Sequence, residues 1–157
     1  MSSHLFSPIT LRNITFKNRI FISPMCQYSS ENGFPTHWHL VHLGSRAVGG
    51  AACVIQEATA VSPEGRISPD DAGIWTVEQA HAYQPITHFI KENGSIPAIQ
   101  LAHAGRKASV SSLWKGGKSV DTDEGGWRPI LGPSEVAFDA SMPVPHALTN
   151  DEIHQIS

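Results

Sequence analysis

Residues 23–28 have the sequence Ser-Pro-Met-Cys-Gln-Tyr, and they directly follow residues 18–22, Asn-Arg-Ile-Phe-Ile. A short apolar run bounded by polar residues predicts a buried strand. Pro24 lacks a backbone donor and has a fixed φ, so we expect the strand to end there. Because α/β barrels carry their chemistry at the C-terminal tips of buried strands, residues 23–28 predict a functional site.

Two further strands are predicted at residues 51–60 and 96–101, and both become polar at their C-terminal ends. Helices are predicted at residues 38–48, before Gly49-Gly50, and from Thr76 to about residue 92. In the first helix, Trp38, Val41 and Ser45 recur near helical spacing; in the second, Thr76 and Gln79 form a capping-box pattern. Three successive strand–helix units favour a parallel α/β arrangement.

The remaining segments are connections. Residues 6–17 contain two alternating runs separated by Arg12-Asn13, a pattern typical of a hairpin. Residues 62–75 are predicted to be a loop. Residues 104–147 have no sustained periodicity and form a long loop, which is expected to be functional or disordered. Residues 149–152, Thr-Asn-Asp-Glu, predict the start of a last helix.

The chain is too short to form a complete α/β barrel. The chain has 157 residues, whereas a complete (β/α)₈ barrel needs about 250. We therefore expect a truncated product, an excised fragment or one piece of a split or rearranged barrel, with residues 1–157 forming an incomplete domain. An open three-stranded sheet would expose an edge and an apolar face, which favours a complementary barrel segment or a homo-oligomer as partner.

Composition excludes several classes of function. A net charge of −3 and the absence of charge runs give no indication of nucleic acid or membrane-surface binding. No apolar run approaches the roughly 20 residues that span a bilayer. Two cysteines, Cys26 and Cys53, provide no disulfide framework, so a cytoplasmic location is expected. The glycine pairs lack the strand–helix context of a phosphate loop, which argues against a Rossmann nicotinamide site.

Four strand-end residues are candidates for binding or chemistry. Cys26 is either a small buried hydrophobe or a residue of the site. Tyr28 points to the same side as Cys26 if the backbone stays extended, and its phenol can then donate to a substrate oxygen; otherwise it is a packing residue. Ala58 lets a flat cofactor approach the sheet edge, although alanine is common at strand ends. The amide of Gln100 can both donate and accept.

The histidines and Arg66 have alternative interpretations. His37, His39 and His42 have spacing that permits a metal site with Cys26 as a further ligand. A structural role is favoured, and no metal is expected. Arg66, in the loop after the second strand, binds an anion or holds the loop.

The sequence resembles the Old Yellow Enzyme family of FMN-dependent ene-reductases. Matching motifs are Ser-Pro-Met-Cys-Gln-Tyr at residues 23–28, Trp-His at 38–39, Pro-Glu-Gly-Arg-Ile at 63–67 and Ile-Gln-Leu-Ala-His-Ala-Gly-Arg at 99–106. Together they match the cysteine-containing, xenobiotic-reductase-like subgroup. The resemblance runs over essentially the whole chain and covers about three of the eight barrel strands. It implies an α/β fold that is the N-terminal part of a (β/α)₈ TIM barrel, with residues 6–17 closing its floor and residues 104–147 forming an active-site or interface loop.

The resemblance also implies an activity and a set of site residues. The activity is ping-pong reduction of the activated C=C bond of α,β-unsaturated carbonyl compounds (enones and enals), with FMN as cofactor and NADPH or NADH as transient reductant. Cys26 and Tyr28 are implied to be catalytic, and Tyr28 and Ile67 to bind substrate. The implied cofactor-binding residues are Ser23, Pro24, Met25, Cys26, Ala58 and Gln100. The alternative is a non-catalytic fragment or interaction module without flavin.

Overall fold

The structure, a computed structural model, describes residues 4–156. Strands alternate with helices through the first two thirds of the chain, and a long irregular segment follows. The strands are β1 (Ile9–Leu11), β2 (Ile14–Phe16), β3 (Phe21–Ile22), β4 (Cys53–Ala60), β5 (Ala72–Gly73), β6 (Ile96–Ala102), β7 (Leu131–Gly132) and β8 (His146–Ala147). The helices are α1 (His37–Val48), α2 (Val77–Ala82), α3 (Gln84–Glu92) and α4 (Asn150–Ile156).

The predicted N-terminal hairpin is present. Strands β1 and β2 pair antiparallel, with Arg12 in the connection at a φ of 54°. The side chain of Phe16 is buried in a small apolar cluster with Ala52 and Cys53, next to the point where β4 begins. The hairpin therefore packs against the N-terminal end of the sheet, opposite the end at which functional groups are predicted.

The central sheet is parallel. Strand β4 lies in the middle, with β3 on one side and β6 on the other, and β5 adds a short parallel pair near the C-terminal end of β4. The register between β4 and β6 shifts at Glu57, so that Gln56 is opposite Ile99 and Ala58 is opposite Gln100. A bulge of this kind redirects the side chains that follow it.

Helices α1 and α3 cover one face of the sheet. Their apolar side chains meet Val54 of β4 in the main core, whose buried members are Leu43, Ala47, Ala51, Val54, Tyr83, Ile86 and Ile90. Gly44 permits close packing of the two helices, because a Cβ atom there would lie 2.8 Å from the ring of Phe89. Alternation of the strands and helices produces the predicted α/β arrangement.

Several predicted boundaries were wrong. The first strand is only Phe21–Ile22, instead of beginning at residue 18. Helix α1 begins one residue earlier than predicted, after Thr36. Its buried face contains His39, His42 and Leu43, whereas the predicted stripe of Trp38, Val41 and Ser45 is exposed.

The second predicted helix is two helices. It begins as expected at the capping box of Thr76 and Gln79, but Tyr83 separates α2 from α3. Pro85 has no N–H to donate to the preceding turn, so a continuous helix cannot pass through it with all its hydrogen bonds.

The connections contain more structure than predicted. The segment 62–75 includes a 3₁₀ turn at Pro63–Gly65 and strand β5. The long segment 104–147 contains three 3₁₀ turns and the short parallel pair of β7 and β8. Helix α4 follows, with the Thr149 hydroxyl accepting from the N–H of Glu152 as the capping pattern predicts.

No helix within residues 4–156 is long and apolar enough to cross a membrane. On the outer face of the sheet, a cavity of about 290 Å³ opens between α2, α3 and β6. Its lining includes Gln56 and Tyr83, whose buried side-chain polar atoms have no hydrogen-bond partner among the described residues. This cavity lies away from the strand ends described next.

Candidate active site

The C-terminal ends of β3, β4 and β6 meet at one edge of the sheet and bring three predicted site residues together. Ala58 and Gln100 are register partners on neighbouring strands. The thiol of Cys26, on the segment after β3, lies near the backbone N–H of Ala58, which favours the thiolate form. Cys26, Ala58 and Gln100 therefore form a continuous surface.

The cofactor residues predicted before Cys26 differ in their exposure to solvent. Ser23 is exposed, Pro24 is half-buried, and Met25 has 43% of its side-chain surface exposed. Gln27 fixes the turn, because its amide donates to the Met25 carbonyl over 2.7 Å and accepts from the indole N–H of Trp38 over 2.9 Å. No pattern in the sequence indicated this role for Gln27.

Glu57 is a further site residue that sequence reasoning missed. Its side chain is 3% exposed, and Oε2 accepts from the backbone N–H of Gln27 over 2.6 Å. Its other oxygen, Oε1, lies 3.1 Å from Nε2 of His39 in an electrostatic contact without the alignment of a hydrogen bond. Glu57 thus ties the end of β4 to the segment that carries Cys26. A buried carboxylate in a strand is unusual enough to have been a signal.

His39 has a structural role. Its Nδ1 accepts from the backbone N–H of Thr36 over 2.9 Å, so the ring proton of the neutral form is on Nε2, facing Glu57. The hydroxyl of Ser30 lies 3.3 Å from the same nitrogen. No group of three or more His, Cys, Asp or Glu side chains in residues 4–156 is arranged to hold a metal ion. The arrangement gives no support to the metal alternative.

A second buried carboxylate, Asp71, lies near the same edge. It accepts from the backbone N–H of Ile67 over 2.8 Å and from the hydroxyl of Ser68 over 2.7 Å. Burial raises the pKa of Asp71 despite these hydrogen bonds, and the negative charge of Glu57 adds to the increase. Ile67, a predicted substrate residue, is half-buried and is linked to the site through this carboxylate.

Burial and these carboxylates raise the pKa of two neighbouring acids, Cys26 and Tyr28. Burial, followed by the charges of Asp71 and Glu57, raises the pKa of Cys26 to about 11. Burial also raises the pKa of Tyr28, with Cys26, Asp71 and Glu57 as further causes. At neutral pH the site therefore presents a thiol and a phenol, both uncharged. Cys26 is consequently unsuited to act as a thiolate nucleophile.

The assumption of extended backbone at Tyr28 was wrong. Its φ is 46°, in the left-handed region that non-glycine residues seldom occupy. The chain therefore turns at Tyr28, and proximity to Cys26 comes from this turn instead of from strand alternation. The ring packs edge-on against Trp114 of the long segment, with centroids 5.1 Å apart and an interplanar angle of 88°. The sequence did not predict this contact.

Arg66 holds the loop after β4. Its guanidinium donates to the carbonyls of Pro63 and Pro69, and it lies over the rings of Trp75 at 5.4 Å and Trp127 at 5.0 Å. Burial lowers the pKa of Arg66. These contacts favour the second predicted role, holding the loop, because the guanidinium already contacts two carbonyls and two aromatic rings of the protein itself.

The edge has features that suit a flat, polar ligand. Ala58 adds only a methyl group to the surface, and the neighbouring Gln100 side chain is exposed. Among the described residues, no hydrogen bond engages the Gln100 amide, which leaves a donor and an acceptor for a ligand. The neutral Cys26 thiol and Tyr28 phenol lie nearby.

Two known proteins are similar in sequence to this chain over nearly its whole length. The chain is 48% identical over 155 residues to the NADPH dehydrogenase of Bacillus cytotoxicus, covering 98% of this chain and 40% of that protein. It is 44% identical over 158 residues to an NADH:flavin oxidoreductase of Gibberella zeae, with coverage of 99% and 38%. The chain thus spans about two fifths of the length of these relatives.

The fold of the chain is also similar to that of a solved structure. The Old Yellow Enzyme homologue from Zymomonas mobilis superposes with a TM-score of 0.78 at 29% identity, over 98% of this chain and 42% of that one. This confirms the predicted fold class, an α/β arrangement that corresponds to part of an Old Yellow Enzyme barrel. The sequence model of the NADH:flavin oxidoreductase / NADH oxidase family matches residues 4–157. The chain therefore belongs to the NADH:flavin oxidoreductase / NADH oxidase family.

Proposed function

We propose that this chain supplies one side of the active site of an FMN-dependent ene-reductase of the cysteine-containing subgroup. The observation that carries the proposal is the surface formed by Cys26, Ala58 and Gln100. When bound, FMN supplies ping-pong hydride transfer, from NADPH or NADH to the β-carbon of an α,β-unsaturated carbonyl compound. The relatives' names include both reductants, so the choice between them is left open.

The residues of the site have distinct roles in this proposal. The exposed amide of Gln100 binds the polar edge of the flavin ring, and Ala58 allows the ring to approach the backbone of β4. Ser23, Pro24 and Met25 complete the cofactor side of the site. The neutral thiol of Cys26 contacts the ring without a negative charge that would oppose its reduction.

Substrate binding is assigned to Tyr28 and Ile67. Because the pKa of Tyr28 is raised, its phenol remains a hydrogen-bond donor at neutral pH and can bind a carbonyl oxygen. Activity requires further barrel strands, because TIM barrels commonly bind phosphate groups with the loops after strands seven and eight. The α-proton donor is likewise assigned to the remainder of the barrel.

A non-catalytic interaction module is the second candidate. It is favoured by the outer face of β6, where Leu101 is 62% exposed and Ile99 is 38% exposed. Exposed apolar side chains next to an open strand edge are typical of a surface that another polypeptide covers.

An absorption spectrum near 450 nm, recorded with the intact mass of every polypeptide present, tests the two candidates. The purified chain is mixed with FMN and the C-terminal segment of the Bacillus cytotoxicus relative. We expect flavin absorbance that co-purifies with both polypeptides. In the same mixture, Gln100→Ala should weaken FMN binding about tenfold, because it removes the hydrogen bonding between the uncharged amide of Gln100 and the flavin ring.

Gln84→Ala is the matched control, since Gln84 is an exposed amide on α3, away from the strand ends. We expect it to leave FMN binding unchanged. A colourless complex of the two polypeptides would contradict the flavin proposal and favour the interaction module. Equal weakening by both substitutions would contradict the assignment of Gln100.

A further inference from the structure

Trp114 presents an aromatic surface beside the candidate active site. It lies in the 3₁₀ turn Leu113–Lys115 of the long segment, and 65% of its side-chain surface is exposed. The edge contact with Tyr28 accounts for part of the buried remainder. An indole of this size left exposed next to a substrate-binding phenol is a candidate for ligand contact.

The turn that carries Trp114 is held from both sides. The N–H of Lys115 donates to the carbonyl of Ser112 over 2.8 Å, and Ser112 itself is fully buried. The ammonium of Lys115 forms a salt bridge with Asp70 over 2.7 Å. Asp70 directly precedes the buried Asp71, so the turn is anchored to the loop that borders the site. The exposure of Trp114 is therefore part of a defined arrangement.

The charges around Trp114 define the kind of ligand. Lys115 is paired with Asp70, and Cys26 and Tyr28 are uncharged at neutral pH. The two buried carboxylates disfavour an anion at this edge. A neutral molecule with an apolar group directed at the indole fits these surroundings.

We propose that Trp114 forms the substrate-facing wall of the pocket and selects enones with an aryl or cyclic β-substituent over those with a small alkyl group. The inference rests on the proposed function, in that Tyr28 binds the carbonyl oxygen of the same substrate. Because the ring centroids of Tyr28 and Trp114 are only 5.1 Å apart, the β-substituent of an enone whose carbonyl is at Tyr28 can reach the indole. Aromatic contact with Trp114 stabilises an aryl group more than a methyl group.

The test uses two ligands that differ only in this substituent. Benzylideneacetone has a β-phenyl group, and ethylideneacetone has a β-methyl group on the same enone. Each is titrated into the complete ¹⁵N-labelled chain while the indole N–H signals of its tryptophans are recorded by NMR. Loss of a signal in Trp114→Phe assigns Trp114. Trp127 is the internal reference, because its indole N–H is bound to the carbonyl of Glu64.

We expect benzylideneacetone to shift the Trp114 signal and to leave the Trp127 signal in place. Trp114→Ala should weaken benzylideneacetone binding roughly three- to tenfold and change ethylideneacetone binding by less than about twofold. Leu113→Ala is the matched control, since Leu113 is 71% exposed in the same turn. It should change neither affinity. Unaltered signals of the other indoles in Trp114→Ala show that the fold is retained.

The outcomes separate this inference from the proposed function. The aromatic wall is overturned if Trp114→Ala weakens the binding of both ligands equally, or if benzylideneacetone binds without shifting the Trp114 signal. Neither result bears on flavin binding, which the absorption experiment tests separately. A Trp114-dependent preference for benzylideneacetone in a chain whose assembly never binds FMN supports the wall and contradicts the ene-reductase. If neither ligand binds to the chain or to the flavin-loaded assembly, the inference is overturned. An effect of Leu113→Ala equal to that of Trp114→Ala also overturns it, because the turn as a whole would then be responsible.

Discussion

The strand–helix part of the chain, residues 18–102, and the long segment, residues 104–147, are ordered in different ways. The first has a contiguous apolar core, which includes Val54 at 1% exposure and Ile90 at 2%, beside buried polar residues such as Glu57. In the long segment, two of the fully buried residues are serines, Ser109 and Ser112, while large apolar side chains such as Val144 are exposed. One part is ordered mainly by a contiguous apolar core and strand pairing, whereas the other combines single buried apolar side chains, such as Ile130 at 1% exposure, with particular hydrogen bonds.

Ser109 illustrates the second kind of order. Its hydroxyl donates to the carbonyl of Val120 over 3.0 Å and accepts from the backbone N–H of Trp127 and from the guanidinium of Arg128. These partners come from two places in the long segment, Val120 and the adjacent residues Trp127 and Arg128. Apolar burial tolerates changes of sequence that keep the pattern, whereas this network depends on one oxygen atom. We therefore expect the two parts to respond differently to small substitutions.

The largest expected effect is in the apolar core. Val54→Ala removes two methyl groups from a buried site among α1, α3 and β4. We expect the free energy of unfolding to fall by about 2 kcal/mol, from lost transfer energy and the cavity that remains. Urea unfolding followed by circular dichroism measures it. Val48→Ala is the same change at a position 64% exposed, where an effect within about 0.5 kcal/mol is expected. Equal losses would show that burial does not distinguish these positions.

A smaller and local effect is expected at Ser109. Ser109→Ala removes the partner of the Val120 carbonyl and of the Trp127 N–H and one of the hydrogen bonds of the Arg128 guanidinium, so the free energy of local opening should fall by about 1 to 2 kcal/mol. Alanine keeps the Cβ atom, so the strain of the left-handed backbone at this residue, φ 59°, is unchanged. Hydrogen exchange of the Trp127 amide measures the opening.

The control for this substitution is Ser134→Ala, at an exposed serine of the same segment. It should leave exchange at Trp127 unaltered. The amides of β4 should be protected equally in both variants. Faster exchange throughout β4 in Ser109→Ala would contradict the comparison, because the long segment would then be part of the cooperative core.

The sequence predicted the parts of the fold that depend on apolar burial and local capping. Strands β4 and β6 were found because a buried strand needs a continuous apolar run, and α2 was found because Thr76 and Gln79 cap its start. The length of β3 was overestimated, since the apolar run extends beyond the paired residues. The break at Tyr83 was missed, since Pro85 interrupts an otherwise periodic pattern.

Less of the site could be predicted from local sequence. Cys26, Ala58 and Gln100 were placed at strand ends, and the structure does bring them together. A glutamate within an apolar strand was a signal for Glu57, but its position lies at a register shift between two strands, which no local pattern specifies. The contact of Tyr28 with Trp114 depends on the path of the long segment, which is set by hydrogen bonds between residues distant in sequence. Their proposed roles toward cofactor and substrate remain predictions.

The smallest expected effect is at Glu57, a buried carboxylate of the strand–helix part that acts through polar contacts. A carboxylate near the thiol disfavours its anionic form, and Glu57 is one of the causes that raise the pKa of Cys26 to about 11. Glu57→Gln removes this charge, so the pKa of Cys26 should fall. Below the pKa, the thiolate fraction and therefore the rate of alkylation should rise, by about threefold near pH 9. Iodoacetamide labelling as a function of pH, resolved by peptide mass spectrometry, measures it.

Cys53 is the internal reference for this experiment, because burial alone raises its pKa. Its rate should be the same with and without Glu57→Gln. Faster labelling of both cysteines would instead indicate opening of the fold, since Cys53 becomes reactive only when its cover is lost. An unchanged rate at Cys26 would mean that water screens the charge of Glu57 at this edge. Selective acceleration at Cys26 would establish that a carboxylate within the strand–helix core controls the chemistry of the site by electrostatics, in the same residue-specific manner as the hydrogen bonds of the long segment.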